Sequence, residues 1–491
     1  MQPTDHLFRL IKSLEPSEKG YFKKFASGYG KTQNYLLIFD AIDAQESYDE
    51  AALLHKFRKQ PFSRQFSVAK NYLWELILKS QRQYRAEGSK FVQLNTLLEN
   101  GEILFEKGLY DEAMRAWDKA AKLAEAYDEK PFQLDIETAR RRYYIEMTAS
   151  NWQTYSDPSY AKSAALLHSY GHMLDIQQKY VQIIQCIKTQ PFFKTDEQRT
   201  EWARFMEDPI LQVDREPEDF YGRLYFFYIH NIYHLLCRNK HEALAWIQKV
   251  VALWDAQPDL KAIEPIKYIS AVNNYLTNLF LLGEQDAYCQ YVEQFNPPKG
   301  FSKSQSAVIF EHVWVMRSNY YVLKKDIAGY GKMIADTLPD IHNYGPLINQ
   351  VRLLIIKYSM ASYYTFIGEI EQSNNLLTEI VESKEVALRK DLQSVSRVLQ
   401  MINHFEAGNL MLLEHLMRSS KHFMRRNDMY YETEKLFFKH FSLLMKAPDK
   451  TARKAVASQM HAEILENFNN NDAERFVFDS MHLMEWIEKY M

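Results

Sequence analysis

Two groups of histidines have the spacing that zinc ligands often show on one helix. His230 and His234 are four residues apart and Cys237 follows three residues later, so a helix would place all three side chains on one face. The second group has the same histidine spacing and consists of His168, His172 and Asp175. Neither group contains the glutamate that acts as the base in metalloprotease helices. We therefore expect packed histidines and no metal or other cofactor, with His230, His234 and Cys237 left as the alternative zinc site.

A short glycine-containing segment has part of a phosphate-binding loop. Gly28–Thr32 reads Gly-Tyr-Gly-Lys-Thr, but the full motif needs a glycine where Phe25 stands and a buried strand before it. The chain also lacks the Gly-x-Ser-x-Gly motif of hydrolases and the Cys-x-x-Cys motif of redox proteins. No set of residues combines a nucleophile, a base and oxyanion donors. We therefore expect a protein that is not an enzyme.

The elements that must position these residues are predicted to be helices. Apolar residues recur every three or four positions along most of the chain, as in Phe66–Lys79. Alternation with a period of two, which marks half-buried strands, never persists. Glycine and proline number only 15 each among 491 residues, too few for the many turns of a sheet protein. The sequence thus predicts an all-α fold.

One segment, Leu94–Tyr127, has the pattern of a closely packed helical hairpin. Gly101 and Ala113 are small where the two helices would cross, and Trp117 would fill the space beside them. The residues expected to shape and pack this hairpin are Gly101, Gly108, Ala113, Trp117 and Ala120. The segment resembles the tetratricopeptide repeat (TPR), in which Gly108 would end the first helix.

Weaker copies of the same turn and small residue occur later in the chain. Ala243, Ala287 and Ser373 align with Ala113 at separations near multiples of about 43 residues, longer than the roughly 34 of the standard repeat. The resemblance implies an all-α, right-handed α-solenoid of antiparallel helix hairpins, TPR-like and divergent, in which each hairpin covers the apolar face of the next. The N-terminal segment His6–Lys24 is also similar to the N-termini of uncharacterised bacterial cytoplasmic helical-repeat proteins, a similarity that implies no activity.

The distribution of prolines and repeats divides the chain into four predicted segments. Residues 1–90 are expected to form a small helical domain, and residues 91–190 the first TPR-like repeats. Residues 191–220 contain three prolines and are a possible hinge. Residues 221–491 are expected to carry the remaining repeats and a C-terminal capping helix around Phe476–Tyr490 with one polar face.

The resemblance also implies a concave groove lined by exposed positions of the first helix of each hairpin. Carried onto this sequence, the main candidates are Asn95, Glu102, Tyr225, Tyr228, Tyr358 and Ser362, with Leu98, Ile232 and Ile355 beside them. Aromatic residues make up 14% of the chain, which suits both interhelical packing and recognition surfaces. The set lacks the Lys/Asn cluster by which some TPR proteins bind a C-terminal carboxylate, so that mode of binding is not expected.

Charge and cysteine content limit the possible partners and the compartment. The net charge of −3 does not indicate a nucleic-acid or membrane surface, and no apolar run is long enough to predict a membrane span. Three widely spaced cysteines and a charged N-terminus without a signal-peptide core favour a reducing, cytoplasmic location. The oligomeric state is not predicted by any of these features.

These features support two functional hypotheses. The first is a non-enzymatic scaffold or adaptor for protein–protein interaction, which binds a peptide or helix of a partner in the concave groove. The second is a regulator whose N-terminal helical domain binds nucleic acid while the repeats sense a peptide. Residues 1–90 carry 15 Lys/Arg and 10 Asp/Glu, and Ser63–Arg85 would be the recognition helix of a helix-turn-helix. The basic excess is small, so the first hypothesis is preferred and nucleic acid is not the expected partner.

Overall fold

The computed structural model describes most of the chain and divides it into two compact units. The described residues are 5–28, 33–84, 90–146, 152–189, 192–193, 195–345, 347–383, 390–427, 429–470 and 483–491. Over these ranges the secondary structure consists of helices and turns without any strand, which confirms the all-α prediction. The first unit comprises residues 1–237 and 252–264, and the second comprises residues 238–251 and 265–491.

The first unit contains eleven α-helices from the N-terminal part of the chain among its described residues. They are α1 (His6–Ser13), α2 (Pro16–Ser27), α3 (Gln33–Asp43), α4 (Glu50–Lys56), α5 (Phe66–Tyr84), α6 (Lys90–Glu106), α7 (Tyr110–Ala126), α8 (Lys130–Glu146), α9 (Trp152–Thr189), α10 (Asp196–Met206) and α11 (Phe220–Leu236). Helix α12 (Lys240–Asp255) is divided between the two units, and α13 (Pro258–Ile263) belongs to the first. The predicted hinge, residues 191–220, lies inside the first unit and includes α10.

The helix starts follow from local sequence. At α2, the Glu15 backbone N–H donates to the Glu18 carboxylate at 2.9 Å, and Pro16 occupies the first helical position, where its missing N–H costs nothing. At α11, Asp219 accepts a hydrogen bond from the Gly222 N–H at 2.7 Å. These side chains satisfy backbone donors that have no partner within the helix.

The N-terminal helices α1–α5 have an apolar core of their own. It includes Leu7, Ile11, Phe22, Phe39 and Ile77, which are almost completely buried. Among the described residues, this cluster takes its buried members from positions 7–77 alone. Residues 1–90 belong to the same compact unit as the helices that follow them, and the separate N-terminal domain stays a prediction.

Helices α6 and α7 pack closely because one position carries no side chain. A Cβ built on Gly101 would overlap the indole ring of Trp117, which is itself fully buried. Ala113 and Ala120 are also fully buried on α7. Gly108 follows the end of α6 with a φ of 74°, a left-handed conformation that glycine adopts without strain.

A partly buried lysine joins distant parts of the first unit. Lys90 Nζ lies 2.7 Å from Glu129 Oε1 and 2.7 Å from Glu264 Oε1. It also donates to the Tyr221 hydroxyl at 3.1 Å. Burial alone would lower the pKa of Lys90, but these hydrogen bonds raise it above its usual value. The ammonium group therefore stays charged and fixes the start of α6 against the turn after α7 and the end of α13.

The second unit contains, among its described residues, eleven further helices. They are α14 (Pro265–Leu282), α15 (Gln285–Gln294), α16 (Lys303–Lys324), α17 (Ile327–Tyr344), α18 (Gln350–Phe366), α19 (Ile370–Glu382), α20 (Lys390–Glu406), α21 (Leu410–Arg426), α22 (Glu432–Lys446), α23 (Lys450–Asn470) and α24 (Leu483–Glu488). The predicted capping helix at Phe476–Tyr490 is described only from Leu483 onward. Pro158 and Pro339 lie inside α9 and α17 and do not end them.

The small positions of the weaker repeats are mostly buried in this unit. Ala243 is fully buried and Ala287 is half-buried. Ser373 is fully buried, and its hydroxyl donates to the Ala361 carbonyl at 2.9 Å. The Asn403 amide donates in turn to the Ser373 hydroxyl at 2.9 Å, so polar groups join α18, α19 and α20. Within the described ranges, no helix combines the length and apolar content needed to cross a bilayer.

Candidate partner-binding site

Three successive hairpins of the second unit, α18–α19, α20–α21 and α22–α23, present aromatic residues on their first helices. Helix α18 ends at Phe366 and α20 ends at Glu406, and each is followed by a glycine with positive φ, Gly368 and Gly408. These glycines allow a sharp turn into the second helix. Phe405 and Phe441 occupy α20 and α22, and their ring centroids are 5.4 Å apart.

The C-terminal segment of the chain packs against α23, and its aromatic side chains reach the first helices α20 and α22. Its helix α24 buries Leu483, Trp486 and Ile487, of which Trp486 is 5% exposed. The Trp486 ring centroid lies 6.0 Å from Phe405 and 6.0 Å from Phe441. Tyr490, just after the helix, lies 5.8 Å from Phe405. The segment therefore packs through aromatic side chains against at least two consecutive hairpins.

Glu406 provides the polar contact of this site. Its Oε1 accepts a hydrogen bond from Trp486 Nε1 at 2.5 Å and another from the Tyr490 hydroxyl at 2.7 Å. Burial and the hydrogen bond to this carboxylate raise the pKa of Tyr490, because its ionisation would place two negative charges together. A single carboxylate oxygen thus accepts hydrogen bonds from two donors that lie four residues apart on one segment.

Lys489 connects the C-terminal segment to the remaining hairpin, α18–α19. Its ammonium group lies 6.0 Å from the ring centroid of Phe366 at the end of α18, within cation–π range. A small cavity remains beside Trp486, and its other lining residues are Ser362, Thr365, Phe366, Leu399, Ile402, Glu406 and Lys489. The aromatic segment therefore does not fill this site completely.

The predicted groove positions of the second unit are not open to solvent. Tyr358 and Ser362 are buried, and Ile355 is half-buried. Tyr358 belongs to the apolar core that runs from α18 to α24. The prediction that these side chains line an exposed groove therefore needs correction, although Ser362 borders the cavity next to Trp486.

Helix α9 covers the predicted groove positions of α11. Tyr225 is half-buried and its hydroxyl accepts a hydrogen bond from Gln177 of α9 at 3.2 Å. Tyr228 and Ile232 are buried, and Tyr180 of α9 packs its ring 5.8 Å from that of Tyr228. Burial raises the pKa of Tyr180 to about 12. These tyrosines hold two helices together instead of facing a groove.

The predicted groove positions of α6 are more accessible. Asn95 is exposed, and its amide donates to the Phe91 carbonyl at 2.8 Å. Leu98 is half-buried. Glu102 is half-buried and forms an ion pair with Arg142 of α8. No two of these three residues share a described contact, so they do not define a site by themselves.

The alternative zinc site is not assembled. His230 Nε2 is hydrogen-bonded to the Leu211 carbonyl at 3.0 Å, which requires a proton on that nitrogen. Burial raises the pKa of the Cys237 thiol, which opposes formation of a thiolate ligand. Throughout the part of the chain that the structure describes, no three His, Cys, Asp or Glu side chains are grouped closely enough for a metal ion.

The glycine-containing segment Gly28–Thr32 and the possible helix-turn-helix both lie in the N-terminal part of the chain. Of Gly28–Thr32, the residues from position 29 onward lie outside the described ranges. Helices α4 and α5 are separated by residues 57–65, which include a 3-10 turn at Pro61–Gln65 and exceed the three- or four-residue turn of a helix-turn-helix. The exposed face of α5 carries Lys79 and Arg82 together with Glu75, and Arg64 lies in the 3-10 turn before it. These observations give the nucleic-acid hypothesis no added support.

We call the surface that contacts the C-terminal segment, together with that segment, the aromatic site; it consists of Phe366, Phe405, Glu406, Phe441, Trp486 and Tyr490. The sequence did not predict these residues as a site. Glu406 and Trp486 are 80 residues apart, and neither follows the repeat pattern of the groove candidates. The available signal was the pair Trp486 and Tyr490, four residues apart near the end of the chain, together with Phe405-Glu406 before a helix-ending glycine. A pattern of this kind indicates an amphipathic segment that needs a partner surface.

Comparisons with known proteins do not identify the chain. Searches against models of known protein families and against curated proteins find no match.

Proposed function

We propose that this chain is a non-enzymatic, TPR-like scaffold that binds a helical segment of a partner protein on the first helices of its second unit. The observation that carries the proposal is the position of α24. An aromatic segment already lies across Phe366, Phe405 and Phe441, and Glu406 accepts its two polar hydrogens. A surface with these contacts suits a partner helix that carries Trp and Tyr four residues apart.

The TPR-like, right-handed solenoid architecture is part of the same proposal. The left-handed residues Gly283, Lys325, Gly368 and Gly408 follow the first helices of four successive hairpins and are separated by 42, 43 and 40 residues. This spacing supports a period of about 43 residues, longer than the roughly 34 of the standard repeat. The close crossing at Gly101 and Trp117 supports TPR-like packing in the first unit.

We also place the protein in the cytoplasm. All three cysteines, Cys186, Cys237 and Cys289, are free thiols, which suits a reducing compartment.

The binding test uses the full chain with its own segment weakened by Trp486→Ala and Tyr490→Ala. A fluorescein-labelled peptide with the sequence of residues 483–491 is titrated, and its anisotropy is followed. We expect saturable binding to this double variant and at least about tenfold weaker binding to the wild-type chain, whose own segment competes. Adding Phe405→Ala or Glu406→Ala to the double variant should abolish binding.

Two controls make the result specific. Glu414 is an exposed glutamate on α21, and Glu414→Ala in the double variant should leave peptide binding unchanged. A peptide with alanine in place of Trp and Tyr should not bind. If the double variant keeps its helical circular dichroism and no variant binds the peptide saturably, the site is a fixed cap of the fold and the proposed function is wrong.

A further inference from the structure

The long helix α9 exposes a regular apolar stripe. Tyr160, Leu167, Leu174 and Val181 are spaced seven residues apart and are 60%, 59%, 42% and 49% exposed. On the opposite face of α9, Ile176 and Ile183 are fully buried, and the helix packs against α8 and α11. Seven-residue spacing of apolar residues is the pattern of a helix that pairs with another helix along its length.

A second line of residues completes this surface. Ala164, Gly171, Gln178 and Gln185 lie four residues after each member of the stripe, and we call the eight residues together the α9 seam. Apart from half-buried Gly171, the members of this second line are exposed. A Cβ added to Gly171 would meet no atom within 4 Å. Glycine inside a helix costs about 1 kcal/mol relative to alanine, and packing inside this chain does not explain why a glycine stands here. The close approach of another helix would explain it.

The α9 seam is complementary to itself in an antiparallel arrangement. With the two-fold axis between His172 and Met173, each bulky residue lies opposite a small or flexible one. The opposed pairs, one residue from each copy, are Tyr160 with Gln185, Leu167 with Gln178, Leu174 with Gly171, and Val181 with Ala164. Bulky side chains facing small ones allow two helices to pack without voids.

The charges at the ends of the seam favour the same arrangement. Asp157 and Lys188 are both exposed, and they lie one heptad step beyond the two ends of the α9 seam. An antiparallel pair places Asp157 opposite Lys188 of the second copy, and the same symmetry brings His168 near Asp175 of the second copy. A parallel pair would instead place Asp157 opposite Asp157.

We propose that the α9 seam pairs antiparallel with the α9 seam of a second copy of this chain, so that the protein is a homodimer. From Asp157 to Lys188 the contact is about 47 Å long at a rise of about 1.5 Å per residue. This surface is in the first unit and does not involve the aromatic site of the second, so the two proposals stand independently.

Sedimentation equilibrium of the full chain tests the dimer. We expect concentration-dependent dimerisation of the wild-type chain and a dissociation constant raised by on the order of a hundredfold in Leu167→Glu/Leu174→Glu, because each change places a charge in the contact. The matched control is Val68→Glu, which changes a valine on α5 that is 63% exposed, close to the 59% of Leu167, and should leave dimerisation unchanged. A wild-type chain that stays monomeric up to about 100 μM, or a seam variant that dimerises normally, overturns the proposal.

Charge reversal tests the antiparallel register. Asp157→Lys should weaken dimerisation about tenfold, because both end pairs then become repulsive. Combining it with Lys188→Asp should restore wild-type affinity, since the charges are exchanged between the two ends. Gly171→Ala should weaken the dimer while leaving the helical content unchanged. Failure of the double charge reversal to restore dimerisation would rule out this register.

Discussion

Replacing Gly101 with alanine should destabilise the first unit although alanine is the better helix former. In a helix interior the substitution gains about 1 kcal/mol from helix propensity. The new Cβ would overlap the ring of Trp117, which is fully buried. Overpacking of a core costs about 1–3 kcal/mol, and an overlap this severe falls at the upper end. We expect a net loss of about 2 kcal/mol.

The matched control is Gly20→Ala in α2. Gly20 is also inside a helix, but a Cβ there would meet no atom within 4 Å. This variant should gain about 0.5–1 kcal/mol from propensity alone. The two glycine variants should therefore move the midpoint of urea unfolding, followed by circular dichroism, in opposite directions.

A double-mutant cycle identifies the ring as the cause. Trp117→Leu is destabilising by itself because it leaves a cavity, but it also removes the atoms that a Cβ at Gly101 would meet. Gly101→Ala should therefore cost about 3 kcal/mol less in the Trp117→Leu background than in the wild-type chain, because the overlap disappears and only the propensity gain of about 1 kcal/mol remains. Overlap with Trp117 is ruled out as the cause if Gly101→Ala unfolds at or above the wild-type midpoint, or if its cost in stability is the same in both backgrounds.

Two further perturbations act on the second unit. Burial, and then the nearby Arg352 guanidinium, lower the pKa of His312 to about 4. Between about pH 6.5 and 4 the unfolded chain therefore binds a proton at this histidine that the folded chain does not bind. The folded state loses stability as the pH falls through this window. We expect the free energy of urea unfolding to fall by about 2 kcal/mol less between pH 7 and pH 5 in His312→Gln than in the wild-type chain. Equal losses in the two proteins would show that His312 is not the group responsible. Ser373→Ala should cost about 1–2 kcal/mol because the Asn403 amide loses a buried acceptor, whereas Thr378→Ala on the exposed face of α19 should change the unfolding midpoint little.

The local features of the fold could be predicted because they depend on residues close in sequence. The hairpin of α6 and α7, its glycine turn at Gly108 and the small residues at its crossing all lie within two consecutive helices. Pro158 shows the opposite case. A proline after Ser-Asp indicates a helix start, yet α9 already begins at Trp152 and continues through it. The packing of α9 against α8 and α11 determines this outcome, and local propensity does not.

The site could not be predicted in the same way because its parts are distant in the chain. Tyr228 and Tyr358 occupy positions that a simple array would expose, and both are buried. Helix α9, 38 residues long and outside the repeat pattern, covers Tyr228. The hydrogen bonds of Glu406 with Trp486 and Tyr490 depend on where the C-terminal segment packs against the earlier helices. The spacing of apolar residues along the sequence carries no information on that packing.

The ion pairs of Lys90 constrain the order in which the first unit can be completed during synthesis. Glu264 follows Lys90 by 174 residues, and the intervening residues 238–251 belong to the other unit. At about 5–20 residues per second, a ribosome needs roughly 9 to 35 seconds to add that stretch. During this interval the Lys90 ammonium group lacks the second of its two carboxylate partners. The first unit therefore reaches its final form only after part of the second has already been made.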